Sequence, residues 1–289
     1  MSYEIVTDSS ANLTDEMINK YDINIISLIF RVGEKEFYSY TKGVTTDNKK
    51  FYEMMRNGET ISTASIDLQL CRKVFEETLK KGKDILYIGF SSALSGSYNA
   101  GALIARELQE EYPQRKIIAV DSLSASMGQG LLVYYAAEQM IHGKSIDEVK
   151  DWILNNRLNI CHWFTVDDLV YLKRGGRISS TTAFVGTTLG IKPIMHVDNE
   201  GRLIPVGKVR GRRKSLEALA KQMEDTCINP RSQLVFISHG DCIEDAHTLE
   251  KLVRDKLNVK DVIINYVDPV IGAHSGPGTI ALFFIGTKR

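Results

Sequence analysis

Within its first 130 residues this chain three times runs an apolar strand straight into a serine-rich loop that opens a helix. No other feature constrains the fold as tightly. Tyr3-Glu4-Ile5-Val6-Thr7 leads to Asp8-Ser9-Ser10. Ile85-Leu86-Tyr87-Ile88-Gly89-Phe90 leads to Ser91-Ser92-Ala93-Leu94-Ser95-Gly96-Ser97, and Lys116 to Val120 leads to Asp121-Ser122-Leu123-Ser124. Strands alternating with helical patterns imply a parallel sheet, and ligands of such sheets bind beyond the carboxyl ends of the strands. The three loops are therefore expected to line one crevice. Unpaired amides and the macrodipole at a helix start favour an anion there. Helix capping alone would explain Asp8 or Ser122, but Ser95-Gly96-Ser97 carries more hydroxyls than a cap requires.

The kind of anion follows from what the loops lack. No G-x-x-x-x-G-K-[ST] lysine is present to meet a triphosphate, and Asp8 and Asp121 would repel one. A carboxylate or a single phosphate suits the site better. Lys plus Arg and Asp plus Glu number 36 each, so no overall field draws in nucleic acid or an anionic membrane. Cys71, Cys161, Cys227 and Cys242 lack metal-ligand spacing and read as thiols of a reducing compartment. No cofactor or metal is expected. Neither a leader nor a membrane-spanning run is evident, so a soluble cytoplasmic protein is expected.

The first half reads as alternating strands and helices. Ile23 to Val32 and Glu36 to Tyr40 look like a strand pair turned at Gly33-Glu34, and Leu68, Cys71, Val74, Phe75 and Leu79 share one helical face between Asp67 and Lys81. Beyond about residue 157 the pattern changes. Asp167 to Thr188 mixes basic, glycine and threonine residues without periodicity, and Pro193 to Val197 pairs with Leu203 to Val209 around Asp198-Asn199-Glu200-Gly201. The expected architecture is α/β: a three-layer domain with a parallel sheet over residues 1–157, then a two-layer α+β domain over 158–289, with a ligand between them.

Val270-Ile271-Gly272-Ala273-His274-Ser275-Gly276-Pro277-Gly278 holds one histidine in a segment too rich in glycine for ordinary strand, a setting that permits close backbone approach to a ligand. The basic clusters Lys173-Arg174-Gly175-Gly176-Arg177 and Lys208-Val209-Arg210-Gly211-Arg212-Arg213-Lys214 read as solvated faces, as anion recognition by arginine, or as docking sites for an acidic partner. Interleaved aromatics are missing, which argues against nucleic acid.

In this order, Asp8-Ser9-Ser10, Leu94-Ser95-Gly96-Ser97-Tyr98, Asp121-Ser122, Leu172 to Ile178, Lys192-Pro193-Ile194, Lys208-Val209-Arg210 and His274-Ser275-Gly276-Pro277-Gly278 resemble the DegV family over nearly the whole chain. The resemblance implies a fatty-acid-binding subunit of a fatty acid kinase, without turnover of its own. An ATP-binding partner would phosphorylate the bound carboxylate to an acyl phosphate. It implies Thr63, Ser95, Gly96, Ser97 and His274 at the carboxylate, Arg177 nearby, and Arg210 and Arg212 toward the kinase. The family's usual Thr-Ser-Gln-Pro-Ser is replaced by Thr63-Ala64-Ser65-Ile66-Asp67. The competing class is a serine hydrolase, in which Ser91 of Gly89-Phe90-Ser91-Ser92-Ala93 would be the nucleophile and His274 the base. That segment falls one glycine short of G-x-S-x-G, and no oxyanion-hole loop precedes it.

Overall fold

The structure, a computed structural model, describes residues 2–44, 46–179 and 190–289. Its elements in chain order are β1 (Tyr3–Asp8), α1 (Asp15–Tyr21), β2 (Asn24–Ile26), β3 (Ile29–Val32), β4 (Lys35–Tyr38), α2 (Asn48–Arg56), β5 (Ile61–Ala64), α3 (Leu68–Lys80), β6 (Asp84–Gly89), α4 (Ser97–Glu111), β7 (Ile117–Asp121), α5 (Ser126–Ile141) and α6 (Ile146–Asn156). They continue with β8 (Ile160–Thr165), α7 (Val170–Arg174), β9 (Ile191–Val197), β10 (Leu203–Arg210), α8 (Arg212–Thr226), β11 (Leu234–His239), α9 (Ile243–Leu257), β12 (Asp261–Tyr266), α10 (Pro269–Ser275) and β13 (Ile280–Ile285).

The first sheet has the order β2-β1-β6-β7 with every pairing parallel. Covered on both faces, its central strands are continuous apolar runs. Ile85, Leu86, Tyr87 and Ile88 are all fully buried. Alternation along the strands divides the core. Ile5, Leu86 and Ile88 pack toward α1 and α5, while Val6, Ile85 and Tyr87 pack with residues of α3 and α4.

The second sheet, β10-β9-β8-β13-β11-β12, is antiparallel except for β11 and β12. Phe164, Phe236 and Phe283 face α5, whereas Val235, Ile237, Leu282 and Phe284 pack against α8 and α9. The residues of α5 from Ser126 to Val133 are all buried, so this helix is packed on both sides. Gly128 permits that approach, because a Cβ there would strike the ring of His162.

One expectation about local structure needs correction. Ile23 to Val32 is not one strand: β2 is the edge of the parallel sheet, while β3 belongs to a small antiparallel sheet ordered β4-β3-β5. Side-chain hydroxyls take over the backbone pairing at the break. Ser9 Oγ accepts from Leu28 N–H at 2.9 Å and Ser27 Oγ from Tyr40 N–H at 3.1 Å. The glycine-rich segment at 270–278, expected only to differ from ordinary strand, is mostly helix. Asp268 caps α10, Pro269 occupies its first position, and Gly276 ends it at φ +85. Of the stretch from Asp167 to Thr188, Val170–Arg174 is helical, and 180–189 lies outside the described residues.

Candidate functional site

A cavity of about 200 Å³ lies where the ends of the parallel sheet, the small sheet and the second sheet meet. Much of its wall is hydrocarbon: Leu28, Phe90 and Leu94 from the first half, Phe164, Leu172, Val197, Leu203 and Phe283 from the second, and Val270 and Ile271 from α10. The rest of the wall includes Gly96 and the polar side chains of Thr63, Ser95, Arg177 and His274. Five of the residues expected at the head group are thus brought to one cavity from segments up to 211 positions apart.

His274 is held by α10. The Asp268 carboxylate accepts from Val270 and Ile271 N–H at 3.3 and 3.1 Å, and its own N–H donates to Asn12 Oδ1 at 3.4 Å. Burial pushes the Asp268 carboxyl up to about 6. The Nε2 atom of His274 lies 2.7 Å from Thr63 Oγ1 on β5. Burial, with Arg177 and Arg174 nearby, lowers the imidazole to about 4, so it is neutral at pH 7.

Ser95 is oriented from behind. Its Oγ accepts from Ser97 N–H at 3.2 Å and lies 2.9 Å from Ser97 Oγ. Ser97 is fully buried and does not line the cavity. Its Oγ accepts from Ile66 N–H at 3.3 Å, a donor that a proline at this position would lack. Arg177 donates from Nε to the Leu94 carbonyl at 3.1 Å and from Nη1 to the Gly175 carbonyl at 2.5 Å. Burial lowers its pKa, and no carboxylate among the described residues pairs with it.

The three serine loops do not line the crevice equally. In the first, the Asp8 carboxylate is fully buried and accepts from Phe90 N–H at 2.9 Å, and from Ser10 and Gln129. Burial raises its pKa. This loop supports the second from beneath and does not line this cavity. The segment after the third loop contributes Ala125 and Ser126 to the wall.

Ser91 is fully buried, and its Oγ donates to the Gly201 carbonyl at 2.9 Å, while His274 is engaged with Thr63. The pair required of a hydrolase is therefore not formed, and that expectation falls. Arg210 is exposed at the end of β10. Arg212 turns inward. Its Nε bonds Asp245 Oδ2 at 2.9 Å and one Nη donates to the Gly278 carbonyl at 2.6 Å, which ties down the loop after His274.

Sequence reasoning missed His162, Ser126, Ser238 and Ser275 in the cavity wall. Ser238 continues the inward alternation of Leu234 and Phe236 along β11, the one signal that could have found it.

A family model described as "Uncharacterised protein, DegV family" matches residues 2–287. A DegV domain-containing protein of Clostridium perfringens is 46% identical over 287 residues, covering 99% of this chain and 98% of its own. Among solved structures, a DegV lipid binding protein from Thermotoga maritima superposes with a TM-score of 0.88 at 28% identity, covering 100% of both chains. A DegV family protein from Thermus thermophilus, described by its fatty acid binding, also gives 0.88, at 26% identity and 99% and 100% coverage.

Proposed function

The chain belongs to the DegV family, and on that premise we propose that it binds one long-chain fatty acid, tail in the cavity and carboxylate at Thr63, Ser95 and His274. The observation that carries this reading is the composition of the wall: hydroxyls, an imidazole and a guanidinium converge at a space otherwise enclosed largely by aliphatic and aromatic side chains. The proton arrangement fits a carboxylate. Ser97 N–H donates to Ser95 Oγ, and when Ser97 O–H does so too the proton of Ser95 is free for the ligand. In the Nε2–H tautomer His274 donates to Thr63 Oγ1, and the proton of Thr63 is then free as well. Arg177 supplies the compensating charge. The lipid-binding and fatty-acid-binding descriptions of the relatives from Thermotoga and Thermus support the same reading.

The family resemblance extends the proposal to an ATP-binding kinase partner that phosphorylates the bound carboxylate, with Arg210 on the docking face. The chain itself is then a carrier without turnover, and the division of the chain at 157/158 separates the halves that close on the lipid. Ser95→Ala tests the site. A sixteen-carbon tail contributes about 11 kcal/mol at about 0.8 kcal/mol per buried CH₂, against about 1.5–3 kcal/mol for one charge-assisted hydrogen bond. Palmitate should therefore still bind, more weakly, with phosphoryl transfer damaged further. Calorimetry and kinetics that are both unchanged would remove Ser95 from the site.

A further inference from the structure

The small sheet ends in an exposed edge. Among the described residues β4 pairs only with β3, and all four of its residues are exposed, Phe37 at 41% and Tyr38 at 53%. The register with β3 sets which backbone groups are open. Ser39 N–H donates to the Leu28 carbonyl at 3.0 Å, and antiparallel pairing alternates, so Lys35 and Phe37 also turn their N–H and C=O groups toward β3. Those of Glu36 and Tyr38 point outward, where an unpaired edge invites another strand. Side chains alternate as well. Phe37 stacks on Phe30 with ring centroids 5.2 Å apart on one face, while Glu36 pairs with Arg31 at 2.8 Å on the other, the face that Tyr38 shares.

This edge is complementary to itself. A two-fold axis perpendicular to the sheet keeps each face continuous, and with Phe37 at the axis it sets Glu36 of each copy opposite Tyr38 of the other. Each such pair exchanges two backbone hydrogen bonds, so the register makes about four. A slip of one residue mismatches the faces. A slip of two sets Glu36 against Glu36 or Tyr38 against Tyr38 and keeps only about half the bonds, because the next outward positions are Glu34 in the turn and Tyr40, whose N–H is already given to Ser27 Oγ. The first of these also opposes like charges. We propose that two copies of the chain join through β4 in the Phe37-centred register, making one sheet of the order β5-β3-β4-β4-β3-β5. Thr63 pairs with Phe30 in the row that leads to Phe37, so this sheet carries one ligand cavity at each end.

Sedimentation velocity between about 1 and about 100 µM tests it, with the wild type expected to show a reversible dimer. Tyr38→Glu and Tyr38→Lys both remove an exposed ring, so their difference isolates the charge set opposite Glu36 of the other copy. The glutamate variant should dimerise about tenfold more weakly than the lysine variant. Cross-linking provides an arm that does not depend on either. Opposed residues in the pair at the axis lie about 4.5 Å apart at Cα, within disulfide range, so Phe37→Cys should form a disulfide-linked dimer on mild oxidation faster than Lys35→Cys. A wild type that stays monomeric throughout, equal association of the two Tyr38 variants, or cross-linking of Phe37→Cys no faster than Lys35→Cys would each overturn the proposal.

Discussion

Gly175→Ala perturbs His274 without replacing any of the side chains proposed to meet the carboxylate. Gly175 ends α7 at φ −73 and ψ −9, a conformation alanine adopts freely. An added Cβ would fall inside the van der Waals distance of His274 Nδ1, with Cγ at 3.1 Å and Cε1 at 3.2 Å. Backbone preference favours alanine by about 0.4–1 kcal/mol, and inserting a methyl group into a packed site costs about 1–3 kcal/mol. The net loss should be about 1–2 kcal/mol. A ring that moves away from the new Cβ gives up its 2.7 Å contact with Thr63. Fatty acid affinity should then fall about tenfold, the equivalent of 1.4 kcal/mol. Displacement of a fluorescent fatty acid measures the affinity, and the histidine NMR titration reports the ring environment. A variant that keeps both unchanged would refute the claim that α7 clamps the imidazole.

The two basic-cluster arginines should behave differently. Arg212→Ala loses its bonds to Asp245 and the Gly278 carbonyl and should lower stability by about 2 kcal/mol in urea denaturation, whereas Arg210→Ala should stay within about 0.5 kcal/mol. Arg210→Glu should slow association with the proposed kinase partner, read by surface plasmon resonance, and leave fatty acid binding intact. His274 also makes stability depend on pH. Its folded pKa of about 4 lies below the ordinary 6.5, so between these values the unfolded chain holds a proton that the folded chain does not. Lowering the pH through that window should remove up to about 3 kcal/mol from the ligand-free protein relative to His274→Asn, and a bound carboxylate should shrink the loss by raising the pKa. Equal pH slopes for the two proteins in denaturation at pH 7 and pH 5 would contradict this.

The elements whose signals are local were legible in the sequence. The apolar run at 85–88, the serine loop before α4, the amphipathic pattern of α3 and the β9–β10 hairpin all appear where local chemistry demands them. The convergence of Thr63, Ser95, Arg177 and His274 was reached only through family resemblance, because their contacts cross the whole chain. The misreadings have physical causes. Asp268-Pro269 and Gly276 carry the start and stop signals of α10, but glycine content masked them. Strand propensity runs unbroken through Ile23 to Val32, and only the hydroxyls of distant Ser9 and nearby Ser27 divide it. Arg212 looks like a surface charge until Asp245 and Gly278 are brought beside it by the second sheet. Burial of Asp8 under Phe90 likewise depends on the packed fold.

Native mass spectrometry of the purified chain is the most direct test of the central claim that this cavity holds a fatty acid. The account predicts a mass addition of one long-chain fatty acid, lost on denaturation because the complex is non-covalent, and reduced in occupancy in a Ser95→Ala, His274→Ala double variant. A bare wild-type mass that stays bare after incubation with palmitate or oleate would contradict it, as would an adduct that survives denaturation.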